Sequence, residues 1–99
     1  MSRNSMLPKP FHGPHVAPLR AVHEKVVWRK PTARCARVRV RSHTCECRSV
    51  IYELCSAGGL MFIRRTARMS KGMDVRETEW LLTAKAAVPW QRLLVGQAR

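Results

Sequence analysis

The Gly58-Gly59 pair and the two alternating runs before it restrict this chain more than any other feature. Ala36, Val38 and Val40 alternate with Arg37, Arg39 and Arg41. Within residues 49–55, Val50, Tyr52 and Leu54 take every second position. That period belongs to half-buried strands. A Gly-Gly pair supplies the positive φ that a two-residue hairpin turn needs. The run after it, residues 60–66, begins apolar and ends in Arg64 and Arg65. Such a chain is expected to form an antiparallel meander.

Folding the first two runs about Cys45 predicts a register. Val40 faces Val50, Val38 faces Tyr52 and Ala36 faces Leu54, while Arg37 meets Glu53 and Cys35 meets Cys55. Apolar pairs then coincide, and a one-residue slip would break the agreement. Residues 67–74 read as a loop with Lys71-Gly72 at its tip. Residues 75–82 read as a fourth strand, with a helix as the alternative. Thr83 suits an N-cap, and Ala86 or Ala87, Trp90, Leu93 and Leu94 recur at helical spacing. Gly96 ends that helix. Proline is tolerated only in a first turn, so Pro89 implies a helix starting near Val88 or kinked there, and the late start is preferred. The expected class is α+β: a small β-meander of three to four strands packed by one C-terminal helix. Its core is Val38, Val40, Tyr52, Leu54, Trp90, Leu93 and Leu94.

Residues 1–32 are expected as a flexible basic arm and residues 33–99 as the domain. Four of the six prolines, Pro8, Pro10, Pro14 and Pro18, fall before residue 20. Each removes an amide donor and extends its predecessor. His12 and His15 then read as solvated tail residues. Residues 21–28, with Val22, Val26, Val27 and Trp28, suit a helical turn or a strand. Without the arm, a core of about 65 residues is marginal, which favours a homo-oligomer. No apolar run approaches a membrane span and no secretory signal opens the chain, so a cytoplasmic protein without membrane contact is expected.

The formal net charge is +13, from 19 Lys and Arg against 6 Asp and Glu. Residues 33–69 hold the densest excess, 8 basic against 2 acidic. Such a chain attracts nucleic acid or an acidic protein face. Arg37, Arg39 and Arg41, extended by Arg48, Arg64 and Arg65, form the expected partner or nucleic-acid face. Specific base reading needs an element that enters a groove, and neither a helix-turn-helix nor a zinc finger is visible.

Four cysteines and a histidine, Cys35, His43, Cys45, Cys47 and Cys55, fall within 21 residues. Zinc takes such ligands tetrahedrally. In the predicted register, however, Cys35 and Cys55 lie far along the strands from Cys45 and Cys47. A cytoplasmic location disfavours disulfides. Free thiols are therefore expected, with no metal or other cofactor; the alternative is a zinc-stabilised binding module that uses these five residues. His43 beside Cys45 or Cys47 lacks a third group to orient it, so catalysis is not expected.

The segment YELCSAGGLMFIRRT and the closing PWQRLLVGQAR resemble the BldB-type small developmental regulators of actinomycetes. These are similar in turn to the small proteins accompanying WhiJ-type helix-turn-helix regulators. The corresponding positions are Gly58-Gly59, residues 62–64, Lys71-Gly72, Trp90 and Gly96. The likeness covers residues 47–99 and leaves out the Pro-rich segment and the first hairpin; Pro89 departs from it. It implies a non-enzymatic regulator of transcription, sporulation and secondary metabolism that contacts a regulatory protein partner. It does not imply a DNA-reading motif.

Overall fold

Ten residues of β pattern, Leu60–Met69, form the central strand of the sheet. The computed structural model describes residues 13–32 and 37–99. Its elements are β1 (Arg39–His43), β2 (Val50–Ala57), β3 (Leu60–Met69), β4 (Gly72–Glu77), β5 (Leu81–Leu82) and α1 (Thr83–Leu94). The strand order is β1-β2-β3-β4, antiparallel throughout, with β5 beside the start of β3. This is the α+β meander with one C-terminal helix.

Gly58 and Gly59 take φ of 56° and 80°, and Ala57 pairs with Leu60 across them. Positive φ at both central residues matches the twist of the flanking strands. The second hairpin is tighter than expected. Met69 pairs with Gly72, so only Ser70 and Lys71 turn, and most of the expected 67–74 loop is strand. The expected fourth strand divides. β4 ends at Glu77, and Thr78 donates its amide to the Ile63 carbonyl while its Oγ1 accepts from the Ile63 amide. The chain then swings out and returns as β5. The excursion lets Trp80 stack on Phe62, with ring centroids 4.5 Å apart and planes 7° apart.

The first hairpin departs from its predicted register. Val40 pairs with Cys55 and Arg39 with Ser56, and after a bulge at Arg41, Ser42 pairs with Leu54 and His43 with Glu53. Thr44 is the cause. It leaves the strand buried, donates its amide to the Tyr52 carbonyl and accepts the Tyr52 amide on Oγ1. The turn therefore starts at Thr44, not symmetrically about Cys45. Val38 and Val40, expected in the core, are 36% and 42% exposed, and all of β1 faces solvent.

Cross-strand partners share a face, so Tyr52 and Ile63 lie on one side and Cys55, Ala57 and Phe62 on the other. On the first side Tyr52, Ile63, Trp90 and Leu93 form the main core, with Val16, Trp28, Val50, Leu54 and Leu94 against it. On the second, Cys55, Ala57 and Phe62 are closed by Trp80.

The helix corrects one expectation. It begins at Thr83, with Leu82 as its N-cap residue and Pro89 inside it. Thr83 is thus the first helical residue and makes no side-chain cap. Proline costs the Lys85 carbonyl its helical donor, but Ala86 is buried and β5 pairs with Leu60 and Met61 just before. Those contacts hold the first half in place. At the other end Gly96 donates to the Leu93 carbonyl and Gln97 to the Arg92 carbonyl. This is a Schellman ending, with Gly96 at φ 80°.

Residues 13–32, expected as a mobile arm, are instead laid along the domain; residues 1–12 lie outside the described residues. Ala17 donates to Leu94, Arg20 to Gly96, Glu24 to Gln97 and Val26 to Arg99. Arg29 and Glu77 exchange both backbone bonds. The buried Glu77 carboxylate accepts from the Thr32 amide and hydroxyl and from the Trp80 indole. Prolines do not prevent this, because the donating amides belong to Ala17, Arg20, Glu24, Val26 and Arg29, while Pro14 serves as an acceptor. Among the described residues no helix is long and apolar enough to cross a membrane.

Gly96 is where strap and helix meet. A Cβ there would strike the Pro18 carbonyl, whereas one at Gly58 would meet nothing within 4 Å. Both positions have positive φ, which costs a non-glycine residue about 1–3 kcal/mol. Gly58→Ala should lose that much in urea unfolding and Gly96→Ala clearly more, because backbone must move. Equal losses at the two positions would contradict the strap.

Candidate functional site

Two places gather chemistry-bearing side chains, and a third holds a buried thiol apart from both.

The first is the arginine edge. β1 lies at the end of the strand order, and no described residue pairs with its outer side. The bulge brings Arg41 to Ser56, whose Oγ accepts from Arg41 Nε at 2.8 Å. Arg37, Arg39 and Arg41 line a cavity of about 310 Å³ with Ser56, the Gly58-Gly59 turn, Leu60 and Thr83. Thr83 opens α1, and the first turn of that helix carries no acidic residue. The field there is positive from both the guanidinium groups and the helix dipole.

Arg64 and Arg65, expected to extend this face, do not. Arg64 donates from Nε to Glu53 Oε1 at 2.9 Å, within a row of cross-strand partners Glu53, Arg64 and Glu77. That hydrogen bond raises the Arg64 pKa above its ordinary value, against the opposing effect of burial. Arg65 lies 3.8 Å from the Asp74 carboxylate and covers the Trp28 ring at 6.0 Å. Arg48 is exposed in the turn after β1, beside Cys47. Glu53 therefore neutralises Arg64 instead of Arg37.

The second place joins two distant segments. The Cys45 amide donates to the Pro14 carbonyl at 2.8 Å, which sets His15 against the turn after β1. His15 Nε2 then lies 3.2 Å from Cys47 Sγ. The ligand atoms of His15, Cys45 and Cys47 all fall within 4.8 Å of one another. Cys45 is buried and Cys47 exposed. The Cys47 pKa is raised, first by a hydrogen bond with Cys45, then by desolvation and the Cys45 charge, while Arg48 pulls it down. A thiol nucleophile needs the opposite direction, since activated cysteines titrate below their ordinary value.

Among the four described residues of the alternative metal set, only Cys45 and Cys47 come together. His43 directs Nδ1 to the Thr44 carbonyl, and Cys55 is enclosed on the other face with Phe62. Cys35 lies outside the described residues. His15 was missed because its neighbouring prolines read as an unanchored tail. Three residues from it, Pro18 packs on Gly96. Comparison with protein-family models, curated proteins and solved structures finds no match to this chain.

Cys55 is fully buried, and desolvation pushes its pKa from 9.0 up to about 11. Arg64 opposes this and Glu53 and Glu77 add to it. A raised folded-state pKa means stability is intact below about pH 9 and falls as pH rises towards 11. Two units correspond to about 2–3 kcal/mol. Urea unfolding from pH 8 to 11 should show this loss in the wild type and a smaller one in Cys55→Ala. An identical slope in both would place the thiol elsewhere.

Proposed function

We propose that this chain is a non-enzymatic regulatory binding protein of the cytoplasm that docks an acidic segment of a protein partner on its β1 edge. The observation that carries this reading is the arginine-lined cavity between β1, the Gly58-Gly59 turn and the start of α1. An edge strand accepts an added strand through its backbone, and side-chain pockets select the sequence. Carboxylates suit guanidinium groups in paired geometry. A second copy of the chain does not suit this edge, because it would set arginine against arginine. A homo-oligomeric contact is therefore proposed through another face.

The process served is proposed from the BldB-type resemblance of YELCSAGGLMFIRRT and PWQRLLVGQAR. It is differentiation, sporulation and secondary metabolism, with a DNA-binding regulator as partner. Direct nucleic-acid binding is the second reading, favoured by the +13 charge alone. The surface aromatics that single-strand binders use for stacking are engaged here: Tyr52 with Trp28, and Phe62 with Trp80.

The two readings separate experimentally. Tagged wild type and an Arg39→Glu/Arg41→Glu variant are used as baits in extracts treated with nuclease. A protein partner retained by the wild type should drop at least tenfold with the variant. Recovery of nucleic acid alone, lost on nuclease treatment and steeply dependent on salt, would replace this reading with the second.

A further inference from the structure

The structure assigns a zinc site to His15, Cys45 and Cys47. Zinc binds thiolate at about 2.3 Å and imidazole nitrogen at about 2.0–2.1 Å in a tetrahedron. Ligand atoms in such a site lie roughly 3.5–3.8 Å apart by that geometry. Here they already lie within 4.8 Å of one another, with His15 Nε2 3.2 Å from Cys47 Sγ. Side-chain rotations that move the ligand atoms by up to about 1 Å close the difference. Two sulfurs and one nitrogen select a soft divalent ion and disfavour magnesium or calcium, which take oxygen.

The arrangement is not a chance meeting of exposed groups. His15 and Cys47 are 32 residues apart, and the backbone bond from Cys45 to the Pro14 carbonyl fixes the approach. Gly13 packs over the same backbone, where a Cβ would sit 3.7 Å from the Cys45 nitrogen. On the other side of the turn, Arg68 donates its amide to the Ser49 carbonyl and a guanidinium N–H to the Glu46 carbonyl. The turn bearing both thiols is therefore held before any ion arrives. Binding exchanges one proton from each thiol for Zn²⁺, so two protons leave per ion and no electron moves. The fourth position takes water or a further side chain. The consequence is a clip: one ion fastens the start of the strap to the end of the first strand.

The test uses the full chain, purified without chelator and with reductant. Zinc content by mass spectrometry should be one per chain, and competition with a chromogenic chelator gives the affinity. His15→Ala, Cys45→Ser and Cys47→Ser should each weaken zinc by roughly a hundredfold or more, beyond the 10–100-fold that loss of an outer partner costs. Cys55→Ala should bind as the wild type does. Cobalt substitution should give the visible bands of a tetrahedral thiolate complex, lost in Cys47→Ser. Far-UV circular dichroism of His15→Ala, with Cys45 and Cys47 intact, shows whether the fold survives. Zinc held equally by His15→Ala and the wild type overturns the assignment, as does binding lost only in Cys35→Ser. A chain that takes up no zinc after reduction overturns it too. Partner capture reads the β1 edge and not this cluster, so the two proposals fail separately.

Discussion

Backbone hydrogen bonds from residues 14–29 to three distant parts of the chain supply the cover that the sheet and helix lack. A four-stranded meander with one twelve-residue helix leaves much of one sheet face open. Trp28 fills part of it, with its ring 5.9 Å from that of Tyr52, and Val16 fills another part. Neither segment has regular structure of its own. Its position depends on amides and carbonyls offered by the turn after β1, by the outer edge of β4 and by the chain following α1. The Schellman ending of α1 is part of the same device. It turns the last residues so that Gln97 and Arg99 run beside Glu24 and Val26.

Strand existence was legible in the sequence because a period of two survives whatever the neighbours do. Pairing was less so. The alternation of Val38 and Val40 with arginine says that the two faces of β1 differ, but not which face is covered. In the fold neither is covered enough to bury a valine. The register turned on Thr44, a residue without hydrophobic signal that is buried because its hydroxyl serves the Tyr52 amide. Likewise Pro89 argued for a late helix start by a sound local rule. The pairing of Leu81 and Leu82 and the burial of Ala86 outweighed it. Tertiary contacts decide such cases, and they are not written in any short window.

The candidate thiol site was hidden for a related reason. Cys45 and Cys47 were visible as a pair, but the partner histidine sat among prolines. Proline removes donors, and a segment without donors reads as unanchored. Yet Pro14 and Ala17 both serve as acceptors, a role proline keeps in full. The usable signal was Trp28. In a chain with three tryptophans, one placed in an arm with nothing to cover would be a large exposed apolar surface. Its presence argued for docking of the segment that carries it.

Charge on the sheet follows the same division between covered and open regions. On β3, which has neighbours on both sides, Arg64 is matched by Glu53 and Arg65 by Asp74. At the open side of β1 the charge is left in excess. A row of arginines on an edge strand has a structural use, since like charges keep identical edges from pairing. On the proposed reading it also has a selective one, because the same positive charge that repels a second copy attracts a carboxylate-bearing strand. On the proposed reading, one row of side chains rejects edge-to-edge pairing of identical copies and admits an acidic partner. The cavity beside the Gly58-Gly59 turn adds what charge alone lacks. It gives a defined place, next to the start of α1, where several donors converge on the position proposed for an acidic side chain.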